Sequence, residues 1–233
     1  MITKANHQQK QSKDKHGKTA ALAEIIQKRG NRLFQNILVV GCGSGIEAGF
    51  LARYFHADTI GIDIGTQFAF DHEGSLPAKL KTMDAHALDF PDRSFDLVYS
   101  FHALEHMNNP QVALKEMARV LTPDGLFVIG TPNKRRLIGY LGSNTSLLNK
   151  VRWNLSDLAM RVRGKWRNEA GAHAGFTEKE LLSMCRSSFR GGVSITDEYY
   201  QRLYGTRFLR MLEIFRLKKF LYPCVYLLGR YQS

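Results

Sequence analysis

The sequence predicts an α/β protein built on a doubly wound, mostly parallel sheet. The first observation is the run Ile37–Val40, whose β-branched and aliphatic residues are typical of a strand covered on both faces. The second observation is repetition, because further runs of this kind alternate along the chain with segments of helical periodicity. Strands that alternate with helices at this pitch indicate parallel pairing through crossover helices.

The first strand is followed by a glycine-rich loop, Gly41–Gly45, and by a helix-like run, Ile46–Phe55. Thr59–Ile62 is the predicted second strand, and it ends at Asp63. This order is the layout of a nucleoside-binding βαβ unit, in which the carboxylate can accept hydrogen bonds from both ribose hydroxyls. A dinucleotide fingerprint would require glycine at position 46, where this chain has isoleucine. Taken alone, the loop could also be a strand–helix turn whose glycines are incidental.

The other elements of the central region follow in order. Thr19 is a candidate cap for a helix that runs to about Arg29, with Gly30 as its stop. Residues 64–76 indicate either a short helix or an apolar loop. The remaining predictions are a third strand at Ala78–Met83, a fourth at Phe95–Ser100, a helix from Asn109 to before Pro123, and a fifth strand at Leu126–Gly130.

Residues 132–175 interrupt the fold after strand five and form a predicted helical insertion, which we expect to cap the substrate. Leucine and valine recur in it every three to four residues and form one apolar stripe. The stripe consists of Leu147, Leu148, Val151, Leu155, Leu158 and Val162. A basic amphipathic helix of this kind could lie on an anionic bilayer, cover the substrate pocket as a lid, or pack on the domain.

The C-terminal part predicts further elements. Thr177 and Glu180 form a capping box at the start of a helix. Val193–Tyr199 is predicted as a late strand and Phe208–Phe215 as a helix. Phe220–Leu228 is apolar and aromatic, so this stretch either completes the core or rests on a membrane.

Composition favours one folded domain. The chain has 233 residues, 44% of them hydrophobic, so we expect a sizeable core, with residues 19–233 forming a single domain. The three cysteines are too far apart for a metal-ligand cluster or a disulfide framework, which favours a reducing, cytoplasmic location. Residues 1–18 are polar, lack the apolar segment of a secretory signal, and predict a disordered basic tail. The stretch Phe220–Gly229 is too short to span a bilayer.

Charge is distributed unevenly along the chain, whose formal net charge is +12. Residues 1–18 carry +4, residues 132–175 carry +7 and residues 201–233 carry +6, which leaves −5 on the rest. The nucleoside-binding core is therefore acidic and its appendages are basic. This asymmetry indicates a polyanionic partner or an anionic membrane surface, unless the charge serves only solubility.

Five segments match the motifs of one family, in order and in spacing. They are Val39–Gly45, Gly61–Asp63, Met83–Ala85, Leu88–Val98 and Ala118–Gly125. On these motifs the chain resembles the class I S-adenosylmethionine-dependent methyltransferases, in the small-molecule branch of methyltransferase type 11-like proteins. The resemblance covers residues 34–131, with a weaker echo at 173–182, and implies a Rossmann-like fold and S-adenosyl-L-methionine as cofactor. Asp124 departs from the family's usual Pro-Gly-Gly, a change that turn geometry tolerates.

The resemblance also implies which residues bind the cofactor. The loop amides would face its amino-acid end, Asp63 its ribose and Asp84 its adenine amino group, while the amide of Ala85 or His86 would donate to a ring nitrogen. Either carboxylate could instead be a helix cap or a loop acid. The full set of candidates is Gly41, Cys42, Gly43, Ser44, Gly45, Asp63, Ile64, Asp84, Ala85, His86, Ser100 and Phe101.

A hydroxyl acceptor would need a general base, and three histidines are candidates. The resemblance favours His106, because similar enzymes carry Glu-His at this position. His102 lies four residues earlier and would share a helical face with it. His173 comes just before the capping box, in a segment that resembles the one closing the active site in this family. The alternatives are a capping or packing role for His106 and an ordinary loop histidine at position 173.

Several acceptor classes are disfavoured. The segment Ser100–Ala103 lacks the Asn/Asp-Pro-Pro-aromatic box used for amide or base nitrogens, and no cysteine stands where a base-C5 methyltransferase needs one. No His/Cys cluster predicts a metal. O-methylation of a small or lipid-linked acceptor fits best, with N- and C-methylation left open.

Two other readings remain open. An RNA-directed methyltransferase is the alternative enzyme, with Trp153 and Trp166 stacking on bases, although nucleic acid is the less favoured partner. A noncatalytic protein that binds the cofactor and regulates a partner is the third reading. Our leading expectation is a cytoplasmic methyltransferase, with peripheral association to an anionic membrane as a further hypothesis.

Overall fold

The protein is an α/β structure in which one sheet carries helices on both faces. It is a computed structural model that describes residues 17–65, 68, 77–140 and 145–232. Within these residues the strands are β1 (Asn36–Val40), β2 (Asp58–Asp63), β3 (Ala78–Thr82), β4 (Phe95–Phe101), β5 (Leu121–Pro132), β6 (Val193–Ser194) and β7 (Cys224–Arg230). They form a seven-stranded sheet in the order β3-β2-β1-β4-β5-β7-β6. The pairs among β1 to β5 are parallel, and β7 is antiparallel to β5 and β6.

Helices connect several of these strands, as the alternating pattern predicts. In the described residues they are α1 (residues 17–30), α2 (Ile46–Phe55), α3 (Pro110–Val120), α4 (Leu147–Val162), α5 (Glu178–Phe189), α6 (Thr196–Tyr204), α7 (Thr206–Ile214) and α8 (Lys218–Leu221). Short 3-10 turns occur at Leu104–His106 and Asn168–Ala170. No helix in the described ranges combines the length and the apolar character needed to cross a bilayer.

Strand β1 shows why the sheet is buried on both faces. Ile37 and Val39 point into a core that includes residues of α1, α2, α6 and α7. Leu38 and Val40 point into a second core that includes residues of α3 and α5. All four side chains are at most 1% exposed, which explains the continuous apolar run in the sequence. The predicted doubly wound, mostly parallel sheet is confirmed.

The predicted late strand Val193–Tyr199 is wrong for most of its length. Only Val193–Ser194 pairs with β7, and α6 begins at Thr196. The Ser194 hydroxyl accepts a hydrogen bond from the Thr196 N–H at 3.3 Å, which helps to start the helix. The helical turn also lets Tyr199 join Ile195 in the core, four residues apart.

The apolar C-terminal stretch completes the core. β7 lies beside β5 with Pro132 opposite Cys224 and Leu126 opposite Arg230. Its residues from Cys224 to Gly229 are buried. Of the two interpretations of Phe220–Leu228, the core interpretation is therefore the correct one, and the stretch that forms β7 is not available to a membrane.

The beginning of the chain differs in one respect from the prediction. Residues 17–30 are helical, so Thr19 lies inside α1 rather than capping it. Its side chain is buried, and its hydroxyl donates to the Glu47 carboxylate at 3.3 Å. The predicted tail overlaps α1 at residues 17 and 18, and its first 16 residues lie outside the described residues. Most of the ambiguous segment 64–76 also lies outside them.

Candidate active site

The glycine loop between β1 and α2 is tied to the carboxyl end of β2. The backbone N–H groups of Gly41 and Cys42 both donate to the Ile62 carbonyl at 2.9 Å. The Asp63 carboxylate accepts from the Gly43 N–H at 2.8 Å and from the Gly65 N–H at 3.0 Å. The loop and the proposed ribose-binding carboxylate are therefore in direct contact.

The three loop glycines have different surroundings. All have positive φ, which favours glycine. A Cβ on Gly41 would lie 2.3 Å from the Ala103 Cβ, and one on Gly45 would lie 2.3 Å from a methyl group of Leu80. A Cβ on Gly43 would meet nothing within 4 Å. The first and third glycines thus permit close packing, whereas the backbone of Gly43 borders open space that a ligand can enter.

Asp84 follows β3 and forms a local network with His86. Its carboxylate accepts from the His86 N–H at 2.9 Å and lies 2.6 Å from the His86 Nδ1. These hydrogen bonds, the backbone one first, lower the pKa of Asp84. The Asp84 side chain is still 53% exposed, so its second oxygen can accept a ligand amino group. Ala85 is buried, so it can contribute through its backbone N–H.

The other cofactor candidates lie around this loop and differ in how far their side chains are exposed. The Ile64 side chain is exposed next to Asp63, and Ser44 is half-buried. Cys42 packs into the core, and burial, with Asp63 second, raises the pKa of its thiol to about 12, so it can offer only its backbone. The Ser100 hydroxyl, at the end of β4, is buried without a hydrogen-bond partner in the described residues.

Phe101 is the last residue of β4, His102 and His106 follow it, and His173 lies in the loop before α5. The Phe101 ring contacts the His102 ring, with centroids 4.0 Å apart. The spacing predicts that His102 and His106 share an α-helical face, but this is wrong. His102 has a positive φ of 54°, and Leu104–His106 is a 3-10 turn. The His106 and His173 rings meet edge to face with centroids 4.5 Å apart. The structure therefore brings all three predicted histidines to one place.

Glu105 connects this cluster, and sequence reasoning gave it no role. Its side chain is 2% exposed, and one oxygen lies 3.2 Å from the His102 Nδ1 and 4.0 Å from the His106 Nε2. The other oxygen accepts from the Thr131 hydroxyl at 3.2 Å. On the far side of the His102 ring, Nε2 lies 3.4 Å from the Cys224 Sγ.

The surroundings shift the pKa values of His102 and His173 in opposite directions. Burial lowers the pKa of His102, but the neighbouring Cys224 and Glu105 outweigh it and raise the pKa overall. Burial, followed by the nearby His106, lowers the pKa of His173. At neutral pH His102 therefore holds a proton, while His173 is uncharged and free to accept one. His173 can therefore act as a base, whereas His102 cannot.

The residues at the carboxyl ends of β1 to β3 fit S-adenosyl-L-methionine. Gly43 leaves open space beside its backbone, and carboxylates stand at Asp63, which ends β2, and at Asp84, which follows the neighbouring strand β3. The Ala103 contact with Gly41 sets the histidine cluster directly beside the loop. The loop lies at the switch-point position at which doubly wound sheets bind ligands.

Comparison with known proteins identifies the family. The model of a family described as a methyltransferase domain matches residues 38–129. An uncharacterized methyltransferase of Mycobacterium bovis is 30% identical over 146 residues, 58% of this chain and 67% of that protein. A 2-methyl-6-phytyl-1,4-hydroquinone methyltransferase of Synechocystis is 39% identical over 103 residues, 42% of this chain and 32% of that protein. A ubiquinone biosynthesis O-methyltransferase of Photorhabdus laumondii is 33% identical over 119 residues, 48% of this chain and 49% of that protein.

The chain spans a third to a half of the length of those last two relatives. A crystal structure of the plantazolicin methyltransferase BpumL shares the fold, with a TM-score of 0.65 at 14% identity over 99% of this chain and 89% of that one. The motifs, the sheet order and the relatives agree. The chain belongs to the class I S-adenosylmethionine-dependent methyltransferases, and S-adenosyl-L-methionine is its cofactor.

Proposed function

We propose that this protein methylates an oxygen of a small, lipid-linked acceptor. The observation that carries the proposal is the histidine cluster beside the glycine loop, in which His106 and His173 lie 4.5 Å apart. A hydroxyl is a poor nucleophile until its proton is removed, and imidazoles are suited to that step near neutral pH. The names of the relatives support the acceptor class, since one acts on a phytyl hydroquinone and another is an O-methyltransferase of ubiquinone biosynthesis.

In this proposal His173 accepts the acceptor's proton. Its pKa is lowered by burial and by His106, so it is uncharged at neutral pH. His106 packs against its ring and helps to hold it in place. S-adenosyl-L-methionine supplies an electrophilic methyl group, so the remaining task of the protein is to align the acceptor oxygen and exclude water.

His102 has a different part in this proposal. Glu105 at one ring nitrogen and Cys224 at the other favour its protonated form. A cation beside Phe101 and the end of β4 can orient a polar acceptor group, but it cannot take up a second proton. Glu105 acts through its neighbours as a positioning residue, because its side chain is almost fully buried.

The proposal includes supply of the acceptor from an anionic membrane surface. A lipid-linked substrate partitions into a bilayer, and a chain with a net charge of +12 is attracted to anionic lipids.

The surroundings of the two tryptophans argue against the RNA-directed alternative. The Trp166 ring lies 3.9 Å from the Arg161 guanidinium and its N–H donates to the Lys134 carbonyl. Trp153 packs against Tyr140, so both rings already have partners within the protein.

Methyl transfer to a panel of acceptors tests the proposal. The panel contains a prenylated hydroquinone, a fatty acid, a water-soluble catechol and total RNA, each with isotopically labelled methyl donor. We expect O-methylated product from the prenylated hydroquinone and little from RNA. Labelled RNA would favour the nucleic-acid alternative. Donor binding without product from any acceptor would support a noncatalytic role.

A further inference from the structure

Helix α4 is attached to the body of the protein by its polar face. The Asn154 side chain accepts from the Gly139 N–H at 2.7 Å and donates to the Gly139 carbonyl at 3.3 Å. The Asp157 carboxylate lies 3.4 Å from the Arg136 guanidinium. The Arg161 guanidinium donates to the Arg136 carbonyl. An amphipathic helix normally buries its apolar side, so this orientation is inverted.

The apolar stripe of α4 consequently faces outward. Its six members are Leu147, Leu148, Val151, Leu155, Leu158 and Val162, and each is between 51% and 82% exposed. No residue of α4 is buried. The helix has 16 residues and so presents the stripe over about 24 Å. A continuous aliphatic surface of this length marks an interaction site on a protein surface.

The charges around the stripe indicate what covers it. Within residues 145–168 the only acidic residue is Asp157, and its carboxylate is turned inward to Arg136. The basic side chains of this segment include Arg152, Arg163 and Lys165, which are exposed. A second copy of the chain would bring the same cations face to face, which like-charge repulsion disfavours. Aliphatic side chains flanked by cations are suited instead to an anionic lipid surface.

We propose that α4 is the membrane-docking element, with its aliphatic stripe inserted into an anionic bilayer. This inference rests on the proposed function for its purpose, since docking would bring the site to a lipid-linked acceptor. The sequence left open that Phe220–Leu228 also rests on a membrane, but β7 is buried in the sheet. The docking contribution is therefore assigned to the insertion rather than to β7.

The inner face of α4 leads directly to the candidate base. Arg136 is 5% exposed, and besides Asp157 it donates to the carbonyls of His173 and Ala174, both at 3.2 Å. One buried guanidinium thus contacts both the docking helix and the loop that carries His173. A bilayer held against the outer face of α4 would thus be linked to the His173 loop through the helix and Arg136.

Vesicle sedimentation tests the docking surface. The whole chain, its Leu148→Glu/Leu155→Glu variant and a control, Leu33→Glu, are mixed with vesicles of phosphatidylcholine alone or with added phosphatidylglycerol. Leu33 is 85% exposed and precedes β1, at the amino ends of the strands and away from α4. Glutamate is about as good a helix former as leucine, so the variant should keep α4. Circular dichroism and S-adenosylhomocysteine binding confirm that it is folded.

We expect wild type and Leu33→Glu to sediment with the anionic vesicles alone. The double variant should bind about tenfold more weakly or worse, because it loses interfacial burial of two leucines. Arg152→Gln/Arg163→Gln should lose about fivefold per charge removed. Sedimentation of the double variant equal to wild type would overturn the proposal. So would light scattering that shows a wild-type dimer converted to monomer by the leucine changes.

Failure of the proposed function would be recognised separately. If no acceptor yields product while sedimentation still depends on α4, the methylation proposal fails and the docking proposal stands. If the prenylated hydroquinone is O-methylated while the double variant sediments normally, the methylation proposal stands and docking by α4 fails alone.

Discussion

The rings of His106 and His173 meet edge to face with centroids 4.5 Å apart, although β5 and α4 separate them in the sequence. His106 lies in the turn after β4, and His173 lies in the loop before α5. Their contact places a like charge beside His173, which helps to keep that ring uncharged.

The first prediction concerns turnover. His173→Ala should lower the rate of methyl transfer to a hydroxyl acceptor by roughly 10²–10⁴-fold, the usual contribution of a general base. His106→Ala should reduce it as well, because the His173 ring loses its support. His56→Ala is a matched control, since His56 is exposed at the end of α2. Calorimetry should show unchanged S-adenosylhomocysteine affinity in all three variants. A His173 variant with normal turnover would instead leave His106 as the candidate base.

The second prediction concerns pH dependence. A base acts only when it is uncharged, so turnover should rise with pH through the pKa of His173. Because burial and His106 lower this pKa below the ordinary histidine value of 6.5, activity should persist into mildly acidic solution and fall only below that value. The pH profile of kcat/KM measures this limb. In His106→Ala the limb should shift upward, because a like charge is removed; a limb that does not move would contradict the pairing.

The third prediction concerns the cofactor. Asp63→Ala should weaken S-adenosylhomocysteine binding by about 1–3 kcal/mol, because the ribose loses its acceptor and the Gly43 N–H loses its partner. Asp58→Ala is the control, since Asp58 is exposed at the opposite end of the same strand. The increase in melting temperature that the ligand causes should shrink for Asp63→Ala alone. Equal responses of the two variants would return Asp63 to a role in holding the loop.

Local patterns were sufficient to predict the elements around the proposed cofactor site. The strand, the glycines, the helix and Asp63 are close in sequence, and β1 with β2 is a pairing that such a pattern specifies. Cys224 and Thr131 could not be found in this way. Cys224 contacts His102 and Thr131 contacts Glu105 because of the antiparallel register of β5 and β7, in which Thr131 stands opposite Val225. No short-range pattern encodes that register.

The orientation of α4 could also not be predicted from the sequence. Periodicity correctly predicts the helix and the members of its apolar stripe, but it does not say which face meets the protein. That choice depends on partners distant in sequence, namely the Arg136 guanidinium and the backbone groups of Lys134 and Gly139. The strand prediction for Val193–Tyr199 was wrong for a related reason. Over a short range its apolar residues satisfy both strand and helix spacing, and tertiary burial then selects the helix.

The last prediction concerns Arg136, which links the two halves of the insertion. Arg136→Met should destabilise the protein by roughly 3–5 kcal/mol in urea unfolding, because it leaves the Asp157 carboxylate half-buried without its cation. Adding Asp157→Leu should recover part of that loss, since the unpaired charge is then gone. Arg136→Lys separates stability from positioning: it keeps the charge near Asp157 but cannot reach the His173 and Ala174 carbonyls with one planar fork. We expect Arg136→Lys to retain most of the stability and the full cofactor affinity while kcat falls, because the His173 loop is less firmly held. If kcat falls only in proportion to the unfolded fraction, Arg136 serves stability alone.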